Sequence, residues 1–356
     1  MRIQNLPELG WNHFFQSQLS LEALSSQLPF RVTAVHRTLI ECVGFDGEQQ
    51  PQTLQLSPHY WRQQEPDQQP TVGDWIMLDL QLQPVSILER QSLIKRRSAG
   101  RESSLQLIAA NIDTLFVVTS CNDDFNLNRI ERYLAIAAEA EIHCVLILTK
   151  IDLCKDYSEL VAELSHNHPQ LPIEAVNATD PSSLDGIRQW IGTGQTVALL
   201  GSSGVGKSTL ANSLLGHDLQ VTSRIREADS KGRHTTTSRS LHLPQSGGLL
   251  LDTPGMRELQ IVDSEVGIKT VFSEIERLAK DCRFHDCQHQ SEPGCAVVNA
   301  SKRGLLEQRL LDNYHKLLSE QARNNESLAE RRQSDKNLGK FYKSAMKSAM
   351  KFKSRD

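Results

Sequence analysis

Hydrophobic and polar residues alternate in short runs between residues 30 and 95: "RVTAVHRTLIECV", "QTLQLS", "DWIMLDL" and "VSILER". Turn pairs such as Asp46-Gly47 and Gly73-Asp74 separate them. Period-two runs at this spacing predict several short strands and a small β-barrel, with a β-sandwich as the alternative. Ahead of them "LSLEALSSQL" has the spacing of a short helix. After them the basic stretch "IKRRSAGRESS" reads as a connector.

The rhythm then changes. "IDTLFVVTS", "HCVLILTK", "PIEAVNA" and "TVALLG" read as apolar strands. "NRIERYLAIAAEAE", "YSELVAELSHN", "SLDGIRQWI" and "KSTLANSLLG" read as the helices between and after them. Such alternation implies βαβ units and a doubly wound, mostly parallel sheet. The paired strands "SRSLHLP" and "GLLLDT" complete it, and from about residue 265 the pattern is helical around a cluster of cysteines. The expected organisation is an N-terminal segment and β-barrel domain over 1–97, an α/β domain over 98–264, and a helical domain with a basic tail over 265–356.

Composition narrows the class. The chain has 356 residues, 38% hydrophobic and 23% charged, as expected of a globular protein. No apolar run reaches membrane-spanning length, and the start, "MRIQNLPELGWNHFF", lacks a signal core, so a cytoplasmic protein is expected. The net charge of −4 excludes a uniformly basic nucleic-acid binder. From Lys336 to Asp356, however, seven basic residues face one acid, which leaves room for a local contact with RNA. Nothing in the pattern demands a dimer, and a monomer is expected.

"GSSGVGKS", residues 201–208, has the spacing of a phosphate loop and sits between an apolar strand and a helix. Gly201, Ser202, Ser203, Gly204, Val205 and Gly206 would turn backbone amides onto phosphates at a helix N-terminus. Lys207 would reach the β- and γ-phosphates, Ser208 would ligate Mg²⁺, and Thr209 follows in the helix. In "LLLDTPG", Asp252 would hold the magnesium shell and the Gly255 amide would meet the γ-phosphate. Between these motifs the polar "SKGRHTTTSRS" reads as a first switch, in which Thr235, Thr236 or Thr237 would complete the magnesium shell; Thr236 is the choice.

"TKID", residues 149–152, and "NAT", residues 177–179, follow two earlier strands. Asp152 can accept from guanine N1–H and the N2 amine, a donor pair that adenine lacks. The stem of Lys150 can lie along the base, with Thr149 and Ile151 on either side of it, and the Ala178 amide, next to Asn177, can donate to O6. Asp152 therefore favours GTP and GDP over ATP. "CRFHDCQHQSEPGC" supplies Cys282, Cys287, His289 and Cys295, three thiolates and an imidazole that suit one tetrahedral Zn²⁺. Four protein ligands would close the sphere and make the ion structural; His285 is a fifth candidate. Cys42, Cys121, Cys144 and Cys154 are scattered, and core packing is expected for them.

The order of these motifs is base, second base, phosphate loop, first switch, second switch. In that order, and in "AANIDTLFVVTS", "GSSGVGKSTLANSL", "GRHTTT" and "DTPGMRE", the chain resembles the RsgA (YjeQ) family of circularly permuted GTPases. The resemblance implies an OB-fold in the N-terminal part and zinc at the spacing C-x4-C-x-H-x5-C, and it favours His289 over His285. It also implies action on the small ribosomal subunit and its rRNA. Thr149 departs from it: the family usually has an asparagine there that braces base and phosphate loop, so weaker guanine binding is expected. Permutation itself is tolerable, because packing rather than chain order holds such a sheet. It also places the second switch just before the helical part, so nucleotide state is expected to pass through the link near Asp263.

The expected activity is Mg²⁺-dependent GTP hydrolysis in late maturation of the small subunit, stimulated by that subunit. The alternative is a GTP-gated binding scaffold with little turnover and a protein partner. Met256 stands where a Ras-like protein has its water-orienting glutamine, and Arg257 is a poor base. His234 is the nearest substitute, with Lys207 as the other catalytic residue.

Overall fold

The computed structural model of the chain describes residues 3–97, 105–122, 124–216, 239–244, 247–252 and 261–325. Two short helices, α1 (His13–Gln16) and α2 (Leu21–Ser26), lead into five strands: β1 (Gln27–Val35), β2 (Ile40–Phe45), β3 (Pro51–Leu56), β4 (Trp75–Asp79) and β5 (Pro84–Ile87). They pair antiparallel in the order β3-β2-β1-β4-β5. Alternation does what the sequence requires. Phe30, Val32, Ile40, Cys42, Ile76 and Leu78 fill one core around Trp61, while Phe45, Trp75 and Met77 turn to a second core with Leu9 and Phe15. Leu54 of β3 and Ile87 of β5 pack on the Trp61 core, although no ladder joins those two strands.

The basic stretch expected to be a connector is in part a strand. β6 (Leu93–Arg97) pairs antiparallel with β7 (Leu105–Ala110). Ile94 is buried there while Lys95 and Arg96 are half-buried, so the charges that dominate the sequence mask a strand with its apolar residue inside. Residues 98–104 of that stretch lie outside the described residues.

The α/β part follows as β8 (Thr114–Ser120), α3 (Leu127–Glu139), β9 (His143–Thr149), α4 (Tyr157–Asn167), β10 (Ile173–Val176), α5 (Asp185–Arg188), β11 (Thr196–Gly201), α6 (Lys207–Leu215), β12 (Arg239–His242) and β13 (Leu249–Asp252). β10, β9, β8, β11 and β13 are parallel neighbours in that order. β12 adds antiparallel to β13 and pairs on its other side with β1, so the sheet runs on into the N-terminal strands. Alternate residues serve the two faces: Leu115 and Val117 pack with α3, and Phe116 and Val118 with α6.

The helical part comprises α7 (Glu265–Val271), α8 (Ser273–Ala279), α9 (Ala296–Lys302) and α10 (Gln308–Asn325). Leu311, Tyr314 and Leu317 of α10 share one core with α3 and α7. α7 lies close on α3, because a Cβ at Gly267 would stand 2.0 Å from the Ala135 carbonyl oxygen. Arg31 joins the N-terminal pieces to the sheet. It is buried, donates to Leu9 O (2.8 Å), Asn111 O (3.0 Å) and Thr196 Oγ1 (3.1 Å), and lies over Trp75. Burial lowers its pKa to about 10 against the pull of Asp113 and Asp74.

Candidate nucleotide site and metal centre

The expected nucleotide motifs lie at the carboxyl edge of the parallel strands, where doubly wound sheets bind ligands. The register fixes this: Gly201 stands opposite Val118, Ser120 opposite Thr149, and Thr149 opposite Val176. The phosphate loop therefore leaves β11, the "TKID" turn leaves β9 two strands away, and "NAT" leaves β10 beside it. Asp252 ends β13 on the loop's other side.

Glycines make the loop possible. A Cβ at Gly201 would meet Val118 O at 2.2 Å, and Gly204 and Gly206 have φ of 84° and 94°, which L side chains rarely adopt. Between them Val205 is buried in the core beside α6 and anchors the loop. Ser202 is half-buried and Ser203 exposed, and Ser208 and Thr209 lie half-buried in the first turn of α6. Lys207 Nζ donates to Gly201 O (2.7 Å) and to Ser202 O, so the amine already stands inside the loop's curve.

Thr149 occupies the position where the family has its asparagine, and it braces the loop. It is fully buried, and its hydroxyl lies within donor reach of both Val205 O (2.5 Å) and Thr119 O (3.0 Å). Lys150 takes a left-handed φ of 60°, which turns the chain into the short 3₁₀ turn Ile151–Leu153 and leaves Asp152 exposed. Asn177 works on its own turn: its side-chain oxygen accepts from the Thr179 amide (3.0 Å) and hydroxyl (2.7 Å). Ala178 is buried, and its carbonyl accepts from Ser213 Oγ of α6 (2.7 Å), tying the second base loop to the phosphate helix. His234, Thr235, Thr236, Thr237, Gly255, Met256 and Arg257 lie outside the described residues.

Two side chains at this edge were not expected. Arg129, in the first turn of α3, donates from Nη1 to Ser202 Oγ at 2.6 Å. Cys121, read as a core cysteine, is buried just past β8, and its amide donates to Thr149 O (3.0 Å). Burial first, then nearby Cys154 and Asp152, push its thiol up to about 12. Cys42 is buried in the β core as expected, while Cys144 and Cys154 are only partly buried.

Cys282, Cys287, His289 and Cys295 meet in one cluster, with ligand atoms all within 4.8 Å of one another. Cys282 Sγ stands 3.9 Å from Cys295 Sγ and 3.6 Å from His289 Nδ1, and Cys295 Sγ is 3.5 Å from the same nitrogen. Sulfurs about 2.3 Å from a tetrahedral ion stand roughly 3.8 Å apart, so these residues fit zinc. The cluster is built by turns. His289 has φ of 58°, and the Glu292 carboxylate is held down to about 2 by its own amide first, then by the amides of Gln288, Gln290 and Ser291, from which it also accepts. Burial opposes ionisation of Cys282, yet donation from the Ala296 amide (3.3 Å) and other neighbours brings its thiol below the ordinary value. Cys295 caps α9, accepting from the Val298 amide (3.4 Å). Burial keeps His289 neutral to lower pH, as a ligand nitrogen must be.

A family model described as RsgA GTPase matches residues 87–262. The small ribosomal subunit biogenesis GTPase RsgA 2 of Vibrio vulnificus is 49% identical over 348 residues, covering 98% of this chain and 97% of that one. The RsgA protein of Mesorhizobium japonicum is 44% identical over 325 residues, 90% and 91% of the two chains. Among solved structures, YjeQ of Thermotoga maritima matches with a TM-score of 0.60 at 23% identity, over 82% of this chain and 99% of that one. YloQ, described as a circularly permuted GTPase, matches with 0.58 at 20% identity, over 86% and 96%. These two likenesses bear on the fold, and they agree with the permuted strand order.

Proposed function

The chain belongs to the RsgA family of small ribosomal subunit biogenesis GTPases, and we propose that it hydrolyses GTP at the loop 201–208 during late maturation of that subunit. The observation that carries the site is the shared edge: a glycine-turned loop with Lys207 inside it, and Asp152 just past the end of β9, two strands away. Loop amides and Lys207 hold the phosphates. Asp152 accepts from the guanine edge, and the Ala178 amide donates to O6. Ser208, Asp252 and Thr236 supply oxygens to Mg²⁺, which shields the phosphate charge when bound. His234 orients or deprotonates the attacking water. The three thiolates and His289 hold one structural zinc, whose binding stabilises the fold of the helical part.

The partner is the small subunit and its rRNA, met by the N-terminal β region and by basic segments. The protein acts as a monomer in the cytoplasm, and none of its described helices is long and apolar enough to cross a membrane. Co-sedimentation with purified small subunits, with a non-hydrolysable GTP analogue or with GDP, tests this reading. Nucleotide-dependent, salt-sensitive binding that Lys207→Ala abolishes is expected. Salt-insensitive capture of a protein alone would favour the scaffold.

A further inference from the structure

Arg129 stands where a cation is disfavoured. It is the third residue after the Asn126 cap of α3, in the first turn, where the helix dipole favours acids. Two contacts offset that placement. Its Nη1 donates to Ser202 Oγ at 2.6 Å and faces the Asp124 carboxylate at 3.9 Å. Ser202 is no passive neighbour, because its carbonyl accepts from Lys207 Nζ. The guanidinium therefore holds the residue that holds the phosphate lysine.

The turn that presents Arg129 is itself fixed. Asn128, beside it, accepts at Oδ1 from Arg309 Nη1 (2.8 Å) and at its carbonyl from Asn313 Nδ2 (3.3 Å). Glu131, fully buried, accepts from Arg309 (2.8 Å) and Asn313 (2.5 Å). α10 thus grips one face of the turn while Arg129 reaches the phosphate loop from another.

We propose that Arg129 is a positioning residue for GTP hydrolysis, fixing the Ser202 arm of the phosphate loop so that Lys207 stays aimed at the β- and γ-phosphates. This rests on the reading of the loop as a GTP site. The arm is needed most when charge moves on the γ-phosphate, so the effect falls on turnover more than on binding.

The test is a double-mutant cycle on single-turnover GTP hydrolysis by the full chain with Mg²⁺. Arg129→Ala and Ser202→Ala should each slow hydrolysis about tenfold while Kd for a fluorescent GTP analogue moves less than threefold. The double variant should be no slower than either single one, and Arg129→Lys should recover part of the rate. Urea midpoints matching the wild type show that the loss is not one of folding. Arg129→Ala turning over within twofold of wild type would overturn the proposal, as would losses that multiply in the double variant. Wild-type protein that hydrolyses no GTP would overturn the GTP reading as well, so the two failures are distinguishable.

Discussion

Thr149 Oγ1 donates across the strand edge to Val205 O at 2.5 Å and lies 3.0 Å from Thr119 O, so one hydroxyl proton faces two carbonyl acceptors. An asparagine amide would bring two N–H groups to the same place. The substitution thus keeps the brace on the phosphate loop but halves its donors. Thr149→Val, which keeps the shape and removes the hydroxyl, leaves a buried carbonyl unpaired. That costs about 1–2 kcal/mol, so GTP and GDP should both bind about tenfold more weakly. Titration with a fluorescent nucleotide checks this, and unchanged affinity would deny the brace a role in binding.

The α10–α3 clamp should dominate the stability of the helical part. Glu131 is fully buried, burial holds its carboxyl above the usual range, and Arg309 is its cation. Arg309→Ala strands that group, and breaking a buried pair costs about 3–5 kcal/mol. Adding Glu131→Gln should restore most of the loss. Urea denaturation of the three variants measures it, and additive losses would mean that the pair does not act as a unit.

Acid should weaken the junction of α4 and α10. Burial, with Arg309 nearby, lowers His168 from 6.5 to about 4. A base whose folded pKa is depressed stabilises the fold fully above its unfolded pKa. That stability is lost as pH falls from about 6.5 toward 4, at most about 3 kcal/mol. Glu131, held up by burial, works in the opposite sense as it takes a proton. The difference between wild type and His168→Gln therefore isolates the histidine: stability curves should diverge below about pH 6.5. Parallel curves down to pH 4 would contradict the assignment.

Zinc removal should loosen the helical part before the sheet. Cys287→Ser removes one of four ligands and should leave well under one equivalent of zinc by metal analysis. His315 Nε2 meets His289 O at 3.0 Å, so the loss should reach α10, seen as faster amide exchange there. One equivalent of zinc retained in Cys287→Ser would place the ion elsewhere.

Much of this was legible because the relevant signals are local. Glycine spacing between a strand and a helix marks the loop 201–208, and residue type within fourteen residues marks the cluster of three cysteines and a histidine that the fold brings together. The strand at Leu93–Arg97 was hidden, because its charges are adjacent in sequence and the strand it pairs with starts only at Leu105. Arg129 and Arg309 were hidden for a related reason. Each is an ordinary surface-type residue on an amphipathic helix, and only packing brings one to Ser202 and the other to Glu131. The pairing of β1 with β12 had no signal either, since the local pattern of neither strand marks its neighbour. The link near Asp263, expected to pass on the nucleotide state, is tied down: Lys95 Nζ lies 3.3 Å from Asp263 Oδ2, and Asn324 of α10 donates to Ile261 O (2.8 Å). A flexible linker inserted there should uncouple partner binding from the nucleotide. Binding that kept its nucleotide dependence would show that the signal takes another route, such as α3.

The free protein should be a slow GTPase that its partner completes. GTP turnover by the purified protein, alone and with purified small ribosomal subunits, for wild type and His234→Ala, tests this. Wild type should hydrolyse GTP slowly alone and at least about a hundredfold faster with the subunit, the low end of the roughly 10²–10⁴-fold that a positioned acid–base group supplies. His234→Ala should keep GTP affinity and subunit binding but lose most of the stimulation. No stimulation of the wild type by the subunit, at concentrations where the two co-sediment, would contradict the account.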